Sequence, residues 1–256
     1  VVIQKRNVST NTTLITMGVN SRVENFTAIL DTSNNVNLVG VHFPTGTSTT
    51  AKLRNSIWTV RYDGSGANTV YGVLSDGSDN NPSAYTTPNA IQRSTINVLS
   101  TSTGTSRGIY LNNPNRFSVR DIVVYARGTG TDITGVETNH ANAVFECKSS
   151  TIGGDSALTN FDIHRNLGTI ILGSTDLLNN DANGKSFKPA QATSLIQFGT
   201  FKASLASGVR YYLVPGTVDR NQLENDNVPL PPAFNINKCL PFIFDQESSV
   251  ISLSIN

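Results

Sequence analysis

From Val23 to Arg210 the chain repeats a couplet of short strands about once every 24 to 38 residues, and this repeat limits the possible folds more than any other feature. One strand of each couplet starts at an apolar residue, with a second apolar or small residue seven places on. The pairs are Val23 and Leu30, Leu53 and Val60, Ile91 and Val98, Phe117 and Val124, Phe145 and Ile152, Ile170 and Leu177, Ile196 and Ala203. The other strand opens near Gly40, Gly72, Gly108, Gly135, Asn160, Gly184 and Gly208, typically as Gly-Val or Gly-Ile. A unit of this size cannot bury its apolar side alone and must stack on its neighbours. The chain therefore reads as a solenoid.

Setting Phe117-Ser-Val119 over Phe145-Glu-Cys147, Ile170-Ile-Leu172 and Ile196-Gln-Phe198 keeps apolar residues at the first and third places, the period-two alternation of a strand. Composition agrees: charged residues are only 14% of the chain and aromatics 7%, with Ser, Thr, Asn and Gly filling the polar places and no amphipathic helical stretch. Longer intervals before Gly108 put extra residues in loops such as Asp76 to Pro82. The expectation is an all-β, parallel β-helix of about seven or more coils over residues 23–210. An N-terminal strand or cap segment occupies 1–22, and a C-terminal connector with capping or assembly strands occupies 211–256. Within the coils, Phe117, Val119, Val124, Phe145, Cys147, Ile152, Ile170, Leu172, Leu177, Ile109, Val136 and Phe161 are predicted to share one interior. Trp58 and Tyr71 are read as packing against adjacent loops.

With 19 basic and 18 acidic side chains, scattered along the chain, the sequence has no basic footprint for nucleic acid or an anionic membrane. No run of 18 apolar residues is present to insert into a bilayer. A chain that begins at Val1 reads as processed or partial. Cys147 and Cys239 form no CxxC pattern, and Cys147 falls at an inward place among apolar neighbours. His42, His140 and His164 are too dispersed for a metal cluster, although His140 and His164 would meet across adjacent coils. No cofactor is implied. Three glycosylation sequons, starting at Asn7, Asn11 and Asn25, are what a chain so rich in Asn, Ser and Thr produces by chance.

Several strings carry a family resemblance: Ser94-Thr-Ile-Asn-Val98, Ser106-Arg-Gly-Ile-Tyr110, Arg120-Asp-Ile122, Gly135-Val-Glu-Thr-Asn139 and Leu177-Leu-Asn-Asn-Asp-Ala-Asn-Gly184. With the coil pattern, they resemble pectin-lyase-like β-helical structural and fibre-type proteins of large DNA viruses and phages, over Val23 to Arg210. The resemblance implies a right-handed, single-stranded β-helix at a virion surface or appendage. It also implies other virion proteins and itself as partners, in a homotrimer, and a host-surface glycan as a ligand. It brings no functional residues to transfer.

A candidate site comes from the alternation. In the Gly-led strand the residue after Gly points in and the next points out, which gives His42, Leu74, Tyr110, Glu137, Asp162, Ser186 and Arg210 as an outward column. Glu137 and Asp162 then fall on neighbouring coils beside Tyr110. Two carboxylates at about 5 to 5.5 Å suit a retaining glycosidase and about 6.5 to 9.5 Å an inverting one. Tyr110 offers a flat surface for a sugar, and His140, His164 and Arg165 further polar contacts. The competing expectation is that both carboxylates are exposed on a solvated face, their repulsion relieved by Arg165 or water. Three functional readings follow: a non-enzymatic virion module for assembly or host attachment, a tailspike-like polysaccharide depolymerase acting through Glu137 and Asp162, and a bacterial adhesin outside the cell. After Arg210, Asn227 to Pro232 reads as an extended connector and Ile251 to Ile255 as a final strand. Cys239 to Asn256 is then expected to cap the last coil or pair with a neighbouring subunit.

Overall fold

The computed structural model describes residues 1–44, 51–76, 89–112, 114, 116–156, 160–177, 185–189, 195–198, 201–203, 211–213, 218–219, 240–242 and 251–253. Beyond Asp155 it describes the side chains of Ile163 and Ile170 alone. The chain is a parallel β-solenoid of about five turns. Among the described residues there is no helix, and so none long and apolar enough to cross a membrane.

Each turn has three strands, and each strand stacks on its counterpart one turn away. The first face begins with β1 (Val2–Arg6), β4 (Thr27–Thr32) and β7 (Ile57–Tyr62), then the second half of β9 (Asn89–Ser100) and of β11 (Arg116–Gly128). The second runs through β2 (Thr12–Thr16), β5 (Leu38–Phe43), β8 (Val70–Ser75), β10 (Thr105–Leu111), the start of β12 (Asp132–Ser156) and the start of β13 (Asn160–Leu177). The third contains β3 (Arg22–Glu24), β6 (Lys52–Arg54) and the first half of β9 and of β11. The couplet read from sequence thus hides a corner. Its first strand, such as Val23 to Leu30, is two strands meeting at a bend.

The bend has a definite chemistry. Asn25, Asn55, Arg93, Asp121 and Ser149 stack at the corner with φ of 57°, 49°, 48°, 54° and 49°, a left-handed turn that Asn and Asp adopt most readily among residues with a side chain. The next residue turns inward, and serine there ties adjacent coils together. The Ser56 hydroxyl accepts from the Phe26 N–H at 3.3 Å, the Ser94 hydroxyl from the Ser56 N–H at 3.2 Å, and the Ser150 hydroxyl from the Ile122 N–H at 3.2 Å. Each donates back to a carbonyl two residues earlier, Ser94 to Gln92 at 2.8 Å. Ser94→Ala leaves the Ser56 N–H without its acceptor at a buried corner, while the Gln92 carbonyl keeps the Asn55 N–H at 3.1 Å, so it is expected to lower stability by about 1–3 kcal/mol. Urea denaturation followed by circular dichroism measures the change.

On the second face the glycines solve a different problem. A Cβ on Gly108 would lie 2.4 Å from the Gly135 oxygen and 2.3 Å from Val124 Cγ1, so the stacked backbones leave no room for a side chain. The following residue fills the core: Val41, Val73, Ile109, Val136 and Ile163 are level across successive turns, and all are fully buried. Phe117, Val119, Val124, Phe145, Cys147, Ile152, Ile170, Ile109 and Val136 share the one interior expected for them. The side chains of Leu172, Leu177 and Phe161 lie outside the described residues. Trp58 does not pack against a loop as expected. It is fully buried in the core, stacked on Phe26 at 5.9 Å, and its indole N–H donates to the Gly72 carbonyl at 3.0 Å.

Of the C-terminal expectations, the connector at Asn227 to Pro232 and the cap as a whole lie outside the described residues, as do most of the residues needed to count further coils. A short strand at Ile251–Leu253 pairs antiparallel with Phe201–Ala203.

Candidate functional site

The second face carries the residues singled out from sequence. Because the strand bulges at each Gly-Val or Gly-Ile step, two outward places flank it, three residues apart. One column holds Val39, Tyr71, Arg107 and Thr134, and the other His42, Leu74, Tyr110 and Glu137. The structure continues the second column with His164, not Asp162. Thr134 is level with Phe161 and Val136 with Ile163, so Asp162 sits level with Gly135. Asn160, which replaces the guiding glycine in the sequence reading, precedes that level by two residues. The carboxylate pair expected from sequence is therefore out of step.

Glu137 is also not the exposed group expected. It is 5% exposed, and Arg107, 3% exposed, donates its Nε–H to Glu137 Oε2. The same guanidinium reaches Asp132 Oδ1 at 3.1 Å and Oδ2 at 2.9 Å, and the carbonyls of Ser106 at 3.0 Å and Asp132 at 3.1 Å. Burial alone would lower the Arg107 pKa. The adjacent Glu137 and Asp132 carboxylates outweigh that effect and raise it, so the charge is retained. A guanidinium bonded through all three of its nitrogens is what allows a carboxylate to stay buried on this face. From sequence, Arg165 or water is expected to relieve the charge at this place. The structure sets Arg107, one residue before Gly108, on Glu137, and puts Arg165 level with Thr138, with its side chain outside the described residues.

Around this ion pair the polar side chains form a chain running along the stack. Asn139 Nδ2 donates to the Tyr110 hydroxyl at 2.7 Å and to Asn112 Oδ1 at 3.2 Å. Asn112 Nδ2 donates to Asp76 Oδ1 at 3.2 Å, and Asp76 Oδ2 lies 2.9 Å from His42 Nε2. Tyr110 stacks on Tyr71 with centroids 5.0 Å apart and planes at 26°. Burial, reinforced by the neighbouring Tyr110, pushes the Tyr71 hydroxyl up to about 12, and burial followed by Glu137 raises that of Tyr110. Both phenols stay neutral at physiological pH, where they serve as surface and hydrogen-bonding groups, not as bases. His140 is three residues past Glu137, where the register between β12 and β13 shifts, so it is not level with His164. Its Nδ1 accepts from the Asn142 N–H at 3.1 Å. Among the described residues, no three His, Cys, Asp or Glu groups are placed to hold a metal ion.

A second ion cluster lies on the third face, where Glu146 receives Arg116, with its Nε at 3.2 Å, and Lys148 Nζ at 3.0 Å. Burial would raise the Glu146 carboxyl, but the hydrogen bonds from Arg116 and Lys148 win and hold it below the usual carboxylate range. A depressed folded-state pKa stabilises the protein above the unfolded value of about 4.3, and that contribution disappears as pH falls through the folded value. The stability difference between the wild type and Glu146→Gln is therefore expected to be largest near neutrality and to vanish in acid. Urea midpoints measured at a series of pH values check this.

No protein-family model, curated protein or solved structure matches the chain.

Proposed function

We propose that this chain is a non-enzymatic structural module, a β-solenoid rod displayed on a virion fibre or appendage, where it acts in assembly or host attachment. The observation that carries the proposal is the state of Glu137. The carboxylate best placed by sequence for catalysis is buried, held by Arg107, and level with His164 instead of a second carboxylate. A retaining or inverting glycosidase needs one carboxyl free to accept or deliver a proton and a second at a defined separation. An Arg107-bound Glu137 serves the stack instead, joining β10 to β12. The fibre-type strings of the repeat favour a particle surface over other settings for such a rod. Self-association into a closed homotrimer would present several copies of one lateral surface at once.

Antibody raised against the purified chain is expected to label the outside of intact particles in immunogold electron microscopy, and the soluble chain to compete with those particles for host cells. Labelling that appears only after the particles are disrupted contradicts the proposal. So does release of oligosaccharides from a host-surface polysaccharide by the purified protein.

A further inference from the structure

We propose that the first face is a contact between two copies of this chain, packed face to face with their solenoid axes antiparallel. The contact goes beyond the attachment reading and does not depend on it. It is twofold, and it leaves the second and third faces clear for the threefold association proposed above.

The surface comes first. Register sets Val2, Thr27, Ile57, Thr95, Val123 and Thr151 level in one outward column of the first face. Every member is β-branched, and Val or Ile alternates with Thr. Val2, Ile57 and Val123 are 67%, 50% and 40% exposed, three of the five large apolar side chains exposed among the described residues. Register continues the column with Asp176 and Lys202, so the uncharged stripe ends after Thr151. A flat stripe with an exposed apolar group at every second level marks a contact surface, not a solvated face.

The occupant is read from a second column on the same face, four residues along each strand: Arg6, Asp31, Arg61, Leu99, Arg127 and Asp155. Its charges run plus, minus, plus, zero, plus, minus. Turning a second copy by 180° about an axis parallel to the strands, midway between the Arg61 and Leu99 levels, keeps each column opposite itself and reverses the order of coils. Arg6 then faces the partner's Asp155, Asp31 faces the partner's Arg127, and Arg61 faces the partner's Leu99. No like charges meet. A shift of one level either way fails, since it sets Arg6 on the partner's Arg127 or Asp31 on the partner's Asp155. Such patterning fixes register more than it adds affinity. The contacts within the chain fit the same arrangement. Arg6 Nη1 lies 3.0 Å from Asp31 Oδ2, so this couple faces the oppositely ordered Arg127 and Asp155 levels. Arg61, which meets no anion across the axis, holds its own in Asp63 at 2.7 Å. Arg127 lies over the Tyr125 ring at 5.2 Å, which keeps its guanidinium on the face.

Shape agrees with charge. In this register Ile57 lies over the partner's Thr95, between the larger Ile57 and Val123 of that column, and Val123 lies over the partner's Thr27. In the column between the two, Tyr125 meets the partner's Ile29, and Gln4 meets the partner's Gly153, which has no side chain to obstruct it. Stacked levels about 4.8 Å apart on strands of about 20 Å give a face of roughly 500–600 Å², so two copies bury about 1,000–1,200 Å², the lower bound for a specific interface.

The test is sedimentation equilibrium on the full chain at low and high salt. The expected result is a reversible dimer that weakens as salt is added. Ile57→Lys changes a half-exposed place beside the axis, which twofold symmetry brings into the contact twice. It is expected to weaken dimerisation at least about tenfold while the circular dichroism spectrum is unchanged. Val123→Lys repeats the measurement if Ile57→Lys fails to fold. Orientation is read with a short bismaleimide, in chains with Cys147 replaced by Val and Cys239 by Ser. Thr27→Cys chains mixed with Val123→Cys chains are expected to join. Thr27→Cys chains alone are expected to stay single, because their two thiols lie about 14 Å apart along the stack and on opposite sides of the contact. The proposal is overturned if the chain stays monomeric up to about 1 mM, if Ile57→Lys and Val123→Lys dimerise like the wild type, or if Thr27→Cys chains join one another while the mixed chains do not. A trimer with that last cross-linking pattern overturns this contact and leaves the threefold association standing.

Discussion

Trp58→Ala is expected to destabilise the solenoid by about 3–5 kcal/mol, the range for emptying a fully buried large aromatic site. Two effects combine. Stacking on Phe26 is lost, and the Gly72 carbonyl loses the indole N–H that meets it inside the core. Trp58→Phe separates them, because it keeps most of the apolar volume and removes only the donor, with an expected cost of about 1–3 kcal/mol. Urea denaturation followed by far-ultraviolet circular dichroism gives both values. A cost near zero for Trp58→Ala would mean that this residue is a surface anchor and that the first and second faces do not close on a common interior.

The second large effect concerns the buried ion pair. Arg107→Met takes the Arg107 guanidinium away from the buried Glu137 carboxylate, and removing one partner of a buried pair is expected to cost about 3–5 kcal/mol at neutral pH. Glu137 stripped of Arg107 favours its protonated form. Protonation removes the uncompensated charge, so the deficit of Arg107→Met should shrink as pH is lowered. Replacing both residues, Arg107→Met with Glu137→Leu, should recover much of the loss because no buried charge remains unmatched. A double variant as unstable as Arg107→Met alone would show that the cost comes from lost packing around the Arg107 stem. Asp132 takes part in the same network and loses Arg107 in both variants, but its side chain is 42% exposed, so water takes over the solvation of that carboxylate.

Period-two alternation made the interior readable, and it did so even where the alignment between turns slipped. The couplet spacing puts Ile91 level with Phe117, whereas the strands pair Asn89 with Phe117 and Ile91 with Val119. A slip of two residues leaves every side chain on the same side of the sheet, so Phe117, Val119 and Val124 were placed inside correctly despite it. The same kind of slip is fatal to a site, because a site depends on which residue is the neighbour. Taking Asn160 as the counterpart of Gly135 brought Asp162 beside Glu137, where the pairing puts His164. The corner at Asn25, Asn55, Arg93, Asp121 and Ser149 leaves no clear mark in the sequence, because only two of its five members are Asn and the serine ladder behind it is interrupted by Phe26 and Ile122. Arg107 was in view within the Ser106 to Tyr110 string, but its contact with Glu137 runs diagonally across the bulge, from one outward column to the other. Alternation along a single strand contains no sign of such a contact.

The central claim is this register, since it separates Asp162 from Glu137 and makes Glu137 part of the scaffold. Cysteine cross-linking tests it directly: residues level on adjacent strands have Cα atoms about 4.8 Å apart, inside the range a disulfide spans, while a two-residue offset exceeds about 7 Å. With Cys147 replaced by Val and Cys239 by Ser, the pair Thr134→Cys and Phe161→Cys is expected to oxidise to an intramolecular disulfide, and the pair Val136→Cys and Phe161→Cys to remain reduced. Efficient closure of the second pair and not the first would put Asp162 back beside Glu137 and contradict the account.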